Sequence, residues 1–239
     1  MGALLTFEVS RIVRSPRFFL FTVGFPLVMF LVFSSVYGRS DPSTVDYLMI
    51  SMAAYGAVAA SIVTGSRTAI ERQVGWNRQL RLTPLSSVDY LVSKVAAAMV
   101  VTLPCLVLVF AGGVLFEHVS LGVGTWTQLL VFCWLGVLPT AVLGLLIGLL
   151  ATGDSAQAMG MVSMLALSML GGLWFPLNTL PAVMTTVAQA LPSYWLAEFG
   201  HEALAGNAPS LQGVITMAAW VAAVGALVVV RYRRDTARG

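Results

Sequence analysis

Apolar residues recur along nearly the whole chain in long blocks separated by short polar intervals. Six blocks are long enough to cross the hydrocarbon layer: roughly Phe18 to Tyr37, Asp46 to Ser66, Val88 to Phe116, Trp126 to Ala151, Ser155 to Trp174 and Leu211 to Val230. Two further runs, Ala182 to Leu191 and Tyr194 to Leu204, are too short to cross, and prolines bound the first. They are expected to dip into the outer leaflet as re-entrant helices. Near the start, Leu5, Val9, Ile12 and Val13 fall broadly on one helical face and Ser10, Arg11, Arg14 and Arg17 on the other. Such a helix can lie in the membrane interface before turning at Ser15-Pro16. The pattern predicts an all-α polytopic membrane protein with six transmembrane helices, an N-terminal interfacial helix and two short re-entrant helices on the outer side. One domain spans 1–239, with the interfacial helix at 1–17, a cytoplasmic region at 67–87, the outer segment at 175–207 and a cytoplasmic tail at 231–239.

Composition excludes the soluble alternatives. Of 239 residues, 58% are apolar or aromatic and 10% charged, and mean hydropathy is +0.89, whereas soluble domains carry about 25% charged residues. A single anchor would use only about 20 apolar residues, far fewer than are present. The first block is too long for a cleavable signal and follows a polar, Arg-bearing stretch. Basic residues set the orientation. Arg11, Arg14, Arg17, Arg67, Arg72, Arg78, Arg81, Lys94, Arg231, Arg233, Arg234 and Arg238 share one side, while Arg39 stands opposite with Asp41, Asp46, Glu117, Glu198 and Glu202. Both termini are therefore expected in the cytoplasm. The net charge of +3 reflects this topology and does not suggest nucleic-acid binding. Cys105 and Cys133 lie inside apolar blocks without metal-ligand or disulfide spacing, so packing is their expected role.

The six cores hold no Asp, Glu, Lys, Arg or His well inside them, with Asp46, Asp89 and Lys94 at or near the predicted ends. Ion-driven carriers keep such groups at mid-membrane depth. Energy for uphill transport would therefore enter through a partner. The chain lacks a phosphate-cradling loop of its own, because its one lysine, Lys94, follows Ser93 and not a glycine. Small residues recur every fourth position at Gly136, Thr140, Gly144, Gly148 and Thr152, and again at Ala53, Ala57, Ser61 and Gly65. Such stripes allow close helix approach, and packing within the bundle is favoured over a subunit interface. Pro26, Pro104 and Pro139 predict kinks or local openings. Met159, Met161, Met164 and Met169 in the fifth block suit an adaptable ligand wall, though methionine is also ordinary gap-filler.

Between Gly65 and Tyr90 the chain reads GSRTAIERQVGWNRQLRLTPLSSVDY. Thr68 with Glu71 has capping-box spacing, as does Ser86 with Asp89, and Thr83-Pro84 should interrupt a helix. Trp76, Leu80 and Leu82 among Arg72, Arg78 and Arg81 offer apolar anchors in a charged setting. That composition fits a docking surface for another protein as well as it fits a solvated loop.

Glu71-Arg72, Gly75, Leu80, Leu82-Thr83-Pro84-Leu85-Ser86 and Lys94 resemble the E-R-x-x-G…L-x-x-T-P-L-S…K pattern of ABC-2 type transporter permeases, the group that includes daunorubicin-resistance-like drug exporters. Trp76-Asn77 stands where that family often has a small pair. A second resemblance is Gly171-Gly172-Leu173-Trp174-Phe175-Pro176-Leu177 followed by Leu180-Pro181, which is similar to the family's fifth-span exit. The resemblance implies a multi-pass half-transporter of the bacterial inner membrane. Two permease copies or paralogues would pair, and each would dock an ATP-binding subunit that holds ATP and Mg, this chain binding no cofactor itself. It also implies that Glu71, Arg72, Gly75, Trp76, Arg78, Leu80, Arg81, Thr83 and Pro84 couple to the ATPase, with Asp154 in the second cytoplasmic turn. Gly171, Gly172, Phe175, Pro176 and Leu177 would lie near an outer gate. Met161, Met164 and Ser168 are candidates for the substrate path. No catalytic or metal-binding side chain is assigned.

Glu198, His201 and Glu202 give one E-x-x-H spacing on the outer segment, but Ala205 occupies the place a zinc-protease motif would need for its second histidine, so polar-face roles are preferred. The expected function is ATP-driven export of a hydrophobic or amphipathic compound such as a drug or antibiotic. A glycan or lipid-linked sugar exporter is the nearest alternative. A non-pumping membrane scaffold or immunity protein is the alternative from another class. An intramembrane enzyme lacks a convergent nucleophile, base or metal cluster.

Overall fold

The computed structural model describes residues 10, 19–38, 42–74, 87–174 and 181–237, and the structural statements below concern those residues. Among them the chain is helical, without a strand. A π-helical turn, Phe19–Gly24, runs into α1 (Phe25–Tyr37). Next come α2 (Pro42–Ser66), the short α3 (Thr68–Gln73) and the long α4 (Ser87–Phe116). A hairpin-like pair follows, α5 (Val123–Gly136) and α6 (Leu138–Leu150), then α7 (Gly153–Leu170). Two short helices, α8 (Ala182–Gln189) and α9 (Pro192–Leu204), precede the terminal α10 (Leu211–Ala237). Four stretches are long and apolar enough to cross a bilayer: Ser43–Gln73, Val88–Phe116, Val123–Leu150 and Leu211–Arg234. Thr22–Tyr37 is a shorter apolar helix. The predicted interfacial helix at 1–17 lies outside the described residues, Ser10 apart.

The least apolar of the long helices stands at the centre. In Ser43–Gln73 94% of the most apolar stretch is buried within the protein, against 22% in Leu211–Arg234, and α2 packs on α1, α4, α6, α7 and α9. A helix enclosed by other helices needs little bulk on its surface, so Ala53, Ala54, Ala57, Ala60 and Ser61 are all buried there. The peripheral α10 instead exposes Leu211, Val214, Ile215, Leu227 and Val230. Such a surface belongs against lipid, and the molecule is a multi-pass membrane protein.

The central members of the two small-residue stripes face each other, while Gly136 packs on Leu196 and Met217. Gly65 approaches the backbone of Gly144, a side chain on Gly144 would meet the Ile62 Cα at 2.8 Å, and one on Gly148 would meet the Gly65 carbonyl at 2.5 Å. One turn before Gly65 and Gly144, the Ser61 and Thr140 hydroxyls lie 2.9 Å apart. Each hydroxyl also has a carbonyl of its own helix in reach, Val137 at 2.8 Å for Thr140 and Val58 at 2.9 Å for Ser61, so one hydroxyl donates across to the other, which donates to its carbonyl, and both polar groups find partners within the protein. The stripes are a helix-helix seam inside one chain.

Two of the three prolines expected to kink a helix, Pro26 and Pro139, mark irregularities. Pro26 lies at the junction of the π-helical turn and α1, and the thiol of Cys105 faces the Thr22 carbonyl at 3.8 Å, the acceptor a residue 26 amide would have used. Pro139 sits just past the break between α5 and α6 at Val137. Pro104 stays inside α4, which continues through it; its missing amide frees the Val100 carbonyl, while the indole of Trp134 donates to the Met99 carbonyl one residue earlier at 2.9 Å. Both cysteines are buried and unlinked, consistent with packing.

The predicted capping box at Thr68 and Glu71 does not form. The α3 cap is Arg67, which puts Thr68 one position inside the helix, and the Glu71 side chain is used elsewhere. The α7 start has a box of its own: the Thr152 amide donates to Ser155 Oγ at 2.9 Å, with the two hydroxyls 2.8 Å apart. Thr152→Val keeps the volume but removes the hydroxyl. It is expected to cost about 1 kcal/mol, read as a lower thermal unfolding midpoint in detergent.

Candidate functional site

Two arrangements are candidates for a functional site, a cavity and a joint at one end of the bundle. That end is basic, holding Arg67, Arg72, Lys94, Arg231, Arg233 and Arg234, while the opposite end carries Asp46, Glu117, Glu198 and Glu202.

The cavity lies between the start of the α1 region, α2 and α7 and has a volume of about 440 Å³, within the usual range for a small-molecule site. Its wall includes Pro26, Tyr55, Ala59 and Met164 and, toward the basic end, Ser66, Arg67 and Gln157. Of the three predicted path residues, Met161 and Met164 line it. Ser168 does not: it is fully buried beyond the cavity, and its hydroxyl donates to the Met164 carbonyl at 2.7 Å. Above the cavity the Tyr55 ring meets Trp174 edge-on at 5.7 Å and Phe25 at 6.1 Å. Those three rings form an aromatic roof immediately before residue 175.

Lys94 of α4 and Glu71 of α3 form a buried ion pair, each side chain only 5% exposed. Lys94 was expected to be one more orientation-setting charge at a helix end, and here it is a structural partner. The amphipathic logic of α3 explains the geometry: Glu71 falls on the face that carries buried Thr68 and Ala69, whereas Ile70 and Gln73 point outward. Arg72 donates to the carbonyls of Gly148 at 3.3 Å and Leu149 at 2.5 Å, and Arg231 of α10 reaches the same Leu149 carbonyl at 3.4 Å. Two guanidinium groups thus satisfy the open carbonyls at the negative end of α6. Lys94 Nζ also sits 5.6 Å from the Tyr90 ring centre, and Tyr90 stacks on Tyr232 of α10 at 5.6 Å. Through these contacts α3 is tied to α4, α6 and α10.

Asp154 is exposed in the first turn of α7, where a carboxylate suits the helix dipole. Gly75, Trp76, Arg78, Leu80, Arg81, Thr83 and Pro84 lie outside the described residues, as do Phe175, Pro176 and Leu177. Gly171 and Gly172 end α7: Gly172 has φ +72°, and Gly171 leaves room for Ser193, whose hydroxyl donates to the Leu167 carbonyl at 2.6 Å. On the outer segment His201 stacks on Tyr47 at 4.2 Å and lies 3.5 Å from Glu198, while Glu202 accepts the Ser210 amide at 3.0 Å. These polar residues pack α9 against α2 and the α10 entry.

A family model described as ABC-2 type transporter matches residues 1–202. The chain belongs to that family. A Bacillus subtilis (strain 168) protein named "Putative transport permease YvfS" is 28% identical over 219 residues, covering 90% of this chain and 89% of that one. Membership makes the chain a membrane transport permease, of a family that normally works with an ABC ATP-binding subunit. The chain's Glu71-Arg72 and Lys94, at the two ends of the loop resemblance, are joined in space by the buried pair. Sequence reasoning did not find Thr22, Tyr55, Arg67 and Gln157 as cavity residues, nor Arg231 and Tyr232 at the joint. The E-R…K framework was the one available signal for the Glu71–Lys94 pair.

Proposed function

We propose that the chain is the permease subunit of an ATP-driven ABC exporter that moves a hydrophobic or amphipathic compound, a drug or antibiotic, out of the cytoplasm or inner leaflet. In this reading α1 and α7 also cross, giving six spans, and the basic end faces the cytoplasm. The short α8 and α9 enter the outer leaflet without crossing. ATP and Mg reside in a separate subunit that docks on the region after α3, and two permease copies or paralogues pair.

The observation that carries the proposal is the mechanical continuity between joint and cavity. A push on α3 acts on the ends of α4 and α6 through Lys94 and Arg72. The α6 backbone is in close contact with α2 along the Gly144–Gly65 seam, and α2 supplies Tyr55, Ala59 and Val63 to the cavity wall. Tightly packed elements shift as units, so movement at the docking end reaches the ligand wall and its aromatic roof.

Efflux in cells expressing the chain with its ATP-binding partner tests this reading. Accumulation of a lipophilic dye is expected to fall with the intact pair and to return to the control level when the partner's phosphate-loop lysine is replaced. Protection that survives loss of hydrolysis would indicate sequestration and contradict export.

A further inference from the structure

The basic end of α10 presents two different faces. Val224, Val228 and Tyr232 recur at four-residue spacing, and the two valines are buried against α4 and α6. Tyr232 stacks on Tyr90 and Arg231 reaches the Leu149 carbonyl, so this face ends in the joint. The opposite face exposes Leu227, Val229 and Val230, and beyond them Arg233 and Arg234, which are exposed too. Arg234 follows Val230 by four positions and Leu227 by seven, and Arg233 follows Val229 by four. At helical spacing the two cations therefore stand directly past the outward apolar surface. The apolar run stops at Val230, but the helix continues to Ala237. Arg233 and Arg234 then lie about 5–6 Å beyond the run, which is the depth of the headgroup layer beside a hydrocarbon core about 30 Å thick. Neither makes an ion pair among the described residues. Residues 231–239 hold four arginines against one aspartate, so the segment keeps a net positive charge.

We propose that Arg233 and Arg234 hold the phosphate head of an anionic phospholipid, its chains lying along Leu227, Val229 and Val230, and that the bound lipid braces the α10 end at the joint. Resting on the orientation in the reading above, this lipid belongs to the cytoplasmic leaflet. Guanidinium groups offer phosphate directed N–H donors. A zwitterionic lipid carries its own ammonium beside the phosphate and no net charge, so it gains less there. An acidic protein surface would satisfy the arginines but leave the apolar face in front of them unmatched. A phospholipid matches both. Tyr232 and Arg231 stand only one to three positions from the two cations, so a head bound to the docked helix end favours the stacked and hydrogen-bonded arrangement of the joint by mass action.

The full chain in nanodiscs of mixed phosphatidylglycerol and phosphatidylcholine tests the proposal. A fluorophore is attached through Val230→Cys, Cys105 and Cys133 being buried, and its quenching by brominated phosphatidylglycerol is compared with quenching by brominated phosphatidylcholine. The anionic lipid is expected to be enriched beside the label by at least about fivefold over its share of the mixture. Arg233→Gln with Arg234→Gln should erase that enrichment. A label attached through Leu211→Cys, at the other end of α10, should show none. The thermal midpoint should rise when phosphatidylglycerol replaces phosphatidylcholine, and the double variant should lose most of that rise. Equal quenching by the two lipids, enrichment that survives the double variant, or the same midpoint response with and without the arginines would overturn the proposal. Weaker assembly with the ATP-binding subunit in the double variant, at an unchanged lipid ratio, would assign the arginines to a protein contact and overturn it too. A nanodisc offers both leaflets the same lipid and no solute moves, so failure here leaves the exporter reading standing.

Discussion

Replacing Lys94 with Met, or Glu71 with Gln, is expected to destabilise the protein by about 3–5 kcal/mol, because either change strands one member of a buried ion pair. Both side chains are only 5% exposed, so water cannot readily restore the lost partner. The double variant Glu71→Gln with Lys94→Met removes both charges and is expected to regain most of the thermal midpoint. It should not regain coupling, because the directed link from α3 to α4 is gone. Thermal unfolding in detergent reads the first effect. ATP hydrolysed per solute moved, in the assembled complex, reads the second. Single variants that unfold at the native midpoint would show that the pair is dispensable.

The second large effect is expected at the α2–α6 seam. A methyl group on Gly144 would lie 2.8 Å from the Ile62 Cα and 2.9 Å from the Ser61 carbonyl. Backbone atoms cannot swing aside as a flexible side-chain end can, so Gly144→Ala should cost about 1–3 kcal/mol. Gly144→Leu should separate the helices and abolish folding into the membrane-stable form. The controls are Gly122→Ala and Gly225→Ala, where an added methyl meets nothing within 4 Å. Gly122 is extended at φ −64° and ψ 152°, and Gly225 is mid-helix, where alanine favours the helix by up to about 1 kcal/mol. Yield of monodisperse protein and its midpoint, compared across the four variants, distinguishes a packed seam from general intolerance.

Much of this seam was legible in the residues themselves. A glycine or other small residue every fourth position has one common physical use, and the two stripes met as helix partners within the chain. Apolar run length likewise located the long helices, with Val88 to Phe116 expected and Ser87–Phe116 found. Pro26 and Pro139 fell at real irregularities because a missing amide has the same consequence wherever it stands. The capping box at Thr68 failed for a tertiary reason. Glu71 could close back on its own helix start or neutralise Lys94, and burial makes the unpaired ammonium the costlier outcome, so the carboxylate goes there. Lys94 looked like a boundary charge because its partner, 23 positions earlier, lies across a loop that periodicity cannot fold. The cavity was visible only through Met161 and Met164. Ser168, expected on the substrate path with Met161 and Met164, instead spends its hydroxyl on its own helix. Arg67 was read for topology alone, since nothing along the chain reveals that α7 brings Gln157 opposite it.

The central claim is that this permease draws its driving force from an ATP-binding partner through the α3 joint. Purified chain reconstituted in liposomes tests it most directly, alone and with that partner, with accumulation of a lipophilic solute followed as ATP is supplied or withheld. Accumulation is predicted only with partner and hydrolysable ATP together, and it should be lost in the Glu71→Gln, Lys94→Met double variant. Uphill accumulation by the chain alone would contradict the account.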